Sequence, residues 1–147
     1  MVVALRPFKI LFLLFLLISL TAYAQQLTCV DFKEGSFYVP VDEEMPLSYK
    51  IIRKGTEQIE VVDDPNNMLG PDFNKTAYVK IEWIDACTSR LKYDETKMEL
   101  SDYQKHINEN NGFLTEMVKI EGNCFYFKST FNDHDRVEEM TGKICKE

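Results

Sequence analysis

The sequence predicts a mainly β domain, an antiparallel meander of seven or eight short strands forming a small barrel or sandwich, with one short helix near residues 98–109. Three observations carry that prediction. Apolar residues recur at every second position through most of residues 27–145, which is the period of half-buried strands. Turn-forming Gly, Pro, Asn and Asp punctuate the runs at short intervals. Four cysteines, an even number, stand after an apolar amino-terminal segment, as in stapled exported domains.

The amino-terminal segment comes first. Arg6 and Lys9 precede the apolar run Ile10 to Leu20, and Ala22-Tyr23-Ala24 follows, which is the order of a secretory signal peptide. The run is shorter than the ~20 residues of a spanning helix. The expectation is therefore a cleaved signal over residues 1–24, a single secreted or periplasmic β domain over residues 25–147, and no transmembrane segment in the mature chain. Lipid attachment at Cys29 is disfavoured because Thr28 stands where a small residue is preferred.

The strand pattern is clearest from Ala77 to Trp83, where Ala77, Val79, Ile81 and Trp83 alternate with polar neighbours. Leu47, Tyr49 and Ile51 form a strand that turns at Lys54-Gly55 into a second, with Ile59 and Val61 expected on its inner face. The first strand is expected to carry Val30 and Phe32, then Phe37, Val39 and Val41, with a bulge at Gly35 to correct the register. Residues 63–72 are rich in Asp, Pro, Asn and Gly and read as a loop. Arg90 to Tyr93 reads as a short strand with Leu91 and Tyr93 on one face. Leu100, Tyr103 and Ile107 have helical spacing, with Ser101 or Asp102 as cap and Asn110-Asn111-Gly112 as stop. Leu114 to Glu121 then places Val118 and Ile120 on one face. Gly122-Asn123 turns the chain into Phe125, Phe127, Ser129 and Phe131, and a weaker strand runs from Val137 to Cys145. The implied topology is lipocalin-like.

Cys124 opens one of these strands and Cys145 closes the next, so antiparallel pairing would bring them within disulfide reach. Cys29 with Cys87 follows as the second bridge, although spacing alone admits three pairings. No C-x2-C or H-x3-H spacing suggests zinc.

The net charge is −7, and −9 without Arg6 and Lys9. An acidic chain with no basic cluster disfavours nucleic acid as a partner. No nucleophile, phosphate-loop or metalloprotease motif occurs, and no cofactor motif either. His106 and His134 both lie in polar segments, and Asp133-His134-Asp135 reads as a solvated turn rather than a metal site. Counted from Asp64, an EF-hand pattern fails at Met68 and Lys75. The acidic pairs Asp42-Glu43-Glu44 and Glu138-Glu139 read as solvated surface, and Asn74-Lys75-Thr76 matches a glycosylation sequon.

The candidate ligand-binding set is the inward aromatics Phe37, Tyr49, Trp83, Tyr93, Phe125 and Phe127, for which plain core packing is the competing reading.

The segments CVDFKEGSFYV (Cys29 to Val39), WIDACTSRLKY (Trp83 to Tyr93) and VKIEGNCFYFKST (Val118 to Thr130) resemble a small exported protein family of Bacteroidetes. Its pattern is an opening C-x-D-F-K-x-G-x-F, a W-x-x-x-C-x-x-x-L-x-Y centre and an I-x-G-N-x-F-Y strand, and it does not include Cys124 and Cys145. Members of the family sometimes carry the label DNA topoisomerase IV, which an export signal and a charge of −9 contradict here. The resemblance implies a common exported unit and no reaction, ligand or partner. The expected role is a non-enzymatic exported domain that binds a small apolar ligand or an envelope protein. The alternatives are a small carboxylate-dependent hydrolase and a structural cell-envelope protein.

Overall fold

A computed structural model describes residues 26–42, 46–70, 75–134 and 136–147. The expected signal segment, Glu43 and Glu44, Asn74 of the sequon, and Asp135 lie outside the described residues. The strands are β1 (Gly35–Val39), β2 (Ser48–Lys54), β3 (Glu57–Asp63), β4 (Thr76–Trp83), β5 (Thr88–Tyr93), β6 (Phe113–Glu121), β7 (Cys124–Asp133) and β8 (Arg136–Lys146), and the helix α1 (Asp102–Glu109) lies between β5 and β6. The eight strands form one closed barrel in sequence order, every pair antiparallel, so the architecture is a barrel and not a two-sheet sandwich. The ring is completed where β1 meets β8, Phe37 opposite Lys146 and Tyr38 opposite Cys145. Among the described residues no helix is long and apolar enough to cross a membrane.

Cross-strand partners share a face, so the register can be followed around the inner wall. Phe37 faces Ile51, Ile51 faces Glu60, Gln58 faces Val79, Ile81 faces Leu91, and Leu91 faces Phe113. Thr115 faces Ser129, and Phe125 faces Ile144. The buried cluster Phe32, Phe37, Val39, Ile51, Phe125, Phe127 and Ile144 fills one end. Each fully buried aliphatic or phenyl group there contributes about 1.5–3 kcal/mol.

Three expected details are corrected. Ile59 and Val61 face outward, because the turn at Gly55-Thr56 pairs Lys54 with Glu57 and so sets odd positions of β2 opposite even positions of β3. Gln58, Glu60 and Val62 therefore point inward. Val30 and Phe32 belong to a 3-10 turn (Cys29–Phe32) and not to a strand, and Gly35 has φ +126° where the chain leaves that turn for β1, with no bulge there. Val118 is 61% exposed, because a register shift between Met117 and Lys119 turns Met117 and Ile120 to the core and Val118 outward.

Two disulfides brace the closed end. Cys29–Cys87 ties the 3-10 turn to the β4–β5 connection, and Cys124–Cys145 joins the start of β7 to the end of β8. Their sequence separations are 58 and 21 residues. In the chain-entropy account each such loop is worth ~3–4 kcal/mol.

Candidate functional site

The barrel has a sealed end, a partly open interior and a mouth spanned by α1. At the sealed end Phe32 is fully buried, with its ring centroid 4.8 Å from that of Phe125 and 5.9 Å from that of Phe37. Arg53, the last inward residue of β2, enters this aromatic plug and is 4% exposed. Its Nη1 donates to the Phe32 carbonyl at 2.9 Å and its Nε donates to Gln58 Oε1 at 2.6 Å. The guanidinium carbon lies 5.4 Å from the Phe37 ring centre, 5.5 Å from that of Phe125 and 5.8 Å from that of Trp83. Burial lowers the Arg53 pKa to about 10, with the charge of Glu60 opposing the shift, so the side chain stays charged at neutral pH. Stacking and hydrogen bonds to the cation offset its desolvation.

Gln58 passes this polarity into the interior. Its amide accepts from Arg53 and donates through Nε2 to Glu60 Oε1. Glu60 stands in the wall of a cavity with two compartments, one of about 260 Å³ beside Arg53 and Gln58 and one of about 290 Å³ nearer the mouth. Glu60, Leu91, Tyr93, Ser129 and Met140 line both, which makes them continuous. Burial raises the Glu60 carboxyl pKa, with the Gln58 hydrogen bond and the Arg53 charge opposing. Burial also raises the Tyr49 phenol and pushes that of Tyr93 up to about 12, with the nearby Glu60 charge adding to both. On the opposite wall the Thr115 and Ser129 hydroxyls hydrogen-bond each other at 2.7 Å.

The mouth is built by α1. Ser101 caps the helix, accepting from the Gln104 backbone N–H, while the Gln104 side chain accepts from the Ser101 N–H. Asn111 and Gly112, at φ +69° and +72°, end it. Gly112 also admits no side chain, since a Cβ there would stand 2.2 Å from the Leu91 carbonyl oxygen. Ile107 is the fully buried residue of the helix. Asn108 bridges to β5, its Nδ2 donating to the Tyr93 carbonyl and its Oδ1 accepting from the Tyr93 N–H, both at 2.9 Å. His106 reaches the far rim, with Nε2 2.9 Å from Asp133 Oδ1 and its ring edge-on to Phe131. The helix is thus fastened to β5 and β7, and Tyr103 projects to the wall of the outer compartment.

The six expected aromatics divide into two sets. Phe37, Trp83 and Phe125 surround Arg53 at the sealed end, whereas Tyr49, Tyr93 and Phe127 line the cavity. Sequence reading passed over Arg53, Gln58, Glu60, Thr115 and Met140, and it set Ser129 in a strand and Tyr103 in the helix without assigning either to the site. The available signal was the parity of the two-residue turn at Gly55, which requires Gln58 and Glu60 to face inward once Ile51 does. His134 is not an isolated turn residue, because His106 joins it and Asp133 in a group whose ligating atoms lie within 4.8 Å of one another. In the loop after β3 the Asp64 carboxylate accepts from the N–H groups of Met68 and Leu69 at 2.8 and 3.1 Å.

Comparison of the chain with protein-family models, curated proteins and solved structures finds no match in any of the three.

Proposed function

We propose that this chain is an exported, non-enzymatic binding protein that holds a small, largely apolar molecule inside its barrel. The observation that carries the reading is the continuous interior chamber, sealed at one end by Phe32 and Arg53 and reached past α1 at the other. Each compartment alone is slightly below the ~300–1,000 Å³ of small-ligand sites, and the two joined reach that range; such sites are mostly apolar with a few placed polar groups. Leu91, Phe113, Phe127 and Met140 supply the apolar wall, and Glu60, Tyr49, Tyr93 and Ser129 the polar points. The hydrolase alternative is less well supported, since it requires two carboxylates across one cleft and Glu60 is the acid among the lining residues. Export is supported by the amino-terminal sequence and by two disulfides.

The test uses N-phenyl-1-naphthylamine, an uncharged dye whose fluorescence rises in apolar surroundings. Saturable enhancement at one dye per chain is expected, and it is lost in Leu91→Trp, which fills both compartments. Enhancement that never saturates, or that survives Leu91→Trp in a folded protein, overturns the reading. Amino-terminal sequencing of the exported protein should begin at Gln25.

A further inference from the structure

We infer that the molecule bound in the chamber carries a protonated amine and that Glu60 receives it; this rests on the interior being a binding site. Glu60 lies in the wall of both compartments, and among the described residues its hydrogen-bond partner is the Gln58 amide. No ion pair reaches it there. The interior cation, Arg53, lines the inner compartment, but its Nε and Nη1 are engaged by Gln58 and the Phe32 carbonyl and three aromatic rings surround its guanidinium. The carboxylate therefore keeps acceptor capacity in the cavity wall, and a half-buried carboxylate gains most from a charged donor.

The walls around it suit the same occupant. Tyr49, Tyr93, Tyr103 and Phe113 present rings around the chamber, and ring faces attract cations. An anionic ligand would meet the Glu60 carboxylate, and the Arg53 Nε and Nη1 donors beside it are already engaged. Lys92, the cation of the outer lining, stands opposite Lys80 on the outward register of β5. A neutral ligand would gain the apolar contacts but leave the carboxylate with its single amide partner. Ammonium on a compact apolar body satisfies both demands, and the Thr115–Ser129 hydroxyl pair adds a polar point to the lining of the inner compartment.

The experiment is calorimetric titration at pH 7 with three molecules that share one phenylethyl body, 2-phenylethylamine, 2-phenylethanol and 3-phenylpropanoate. The amine is expected to bind at least about tenfold more tightly than the alcohol, with the carboxylate weakest. In Glu60→Gln the advantage of the amine over the alcohol disappears. Equal affinity for amine and alcohol in the wild-type protein overturns the inference whether or not the variant folds, and so does an advantage that persists in folded Glu60→Gln. If the naphthylamine dye binds while the amine shows no preference, the chamber stands and the amine assignment falls. If neither the dye nor any of the three binds, both fall.

Discussion

The ring of Phe127 lies against the backbone of Gly142, its partner across the β7–β8 ladder, so closely that a Cβ on Gly142 would stand 2.8 Å from the ring. Phe127 is also a wall of the inner compartment. Gly142→Ala should therefore push the ring toward the cavity. The expected cost is about 1–3 kcal/mol, the usual penalty of overpacking a filled core. Denaturant unfolding measures it, and an unchanged midpoint would show that the ring moves freely.

Glu60 opposes the stability of the unliganded fold. Burial raises its pKa, so the folded state binds the proton more tightly than the unfolded chain, in which the value is ~4.3. The penalty develops as pH rises from that value through the raised one and is complete above it. Glu60→Gln should melt higher than wild type at pH 7, with the difference shrinking as pH falls toward 4. Scanning calorimetry across that range tests the sign, and a variant that melts lower at pH 7 would mean that Arg53 more than offsets the burial.

Asp94 acts in the opposite sense. Hydrogen bonds from the Thr96 hydroxyl and the Lys80 ammonium bring its pKa down to about 2. The folded state therefore favours the ionised form, which adds stability above the unfolded value of ~3.9 and loses it as pH drops toward 2. Asp94→Asn should lower the melting temperature at pH 7, and the two proteins should converge near pH 2. A pH-independent difference would place the effect in lost packing.

The Cys29–Cys87 bond holds the Phe32 plug against the β4–β5 connection. Replacing both cysteines by alanine should cost about 2–4 kcal/mol. Proteolysis should then begin at the 3-10 turn. Equal resistance to protease would show that Arg53 and the aromatic rings retain the plug unaided.

The amphipathic parts of this fold are plain in the sequence, and its interior chemistry is not. β4 and β7 alternate cleanly because their inner faces are apolar except at Ser129, and the helix announces itself through Ser101 at its start and Gly112 at its end. β3 misleads because its inner face carries Gln58 and Glu60, residues that in an ordinary strand would face water, while Ile59 and Val61 lie outside. Val118 misleads because one extra residue in β6 reverses the alternation midway. Tyr103 and His106 become site residues only when α1 crosses the mouth, a placement that depends on Asn108 and Asp133 rather than on local pattern.

Seven of the eight ladders join strands that follow one another along the chain, and only β1 with β8 must find each other from afar. Neighbouring hairpins can zip up cheaply, but that last seam must overcome the entropy of closing almost the whole loop at once. The rate-limiting event in folding should thus be the sewing of this seam. Lys146 and Glu147, which bond to the Asp31 carbonyl and the Ser36 carbonyl, are its final stitches.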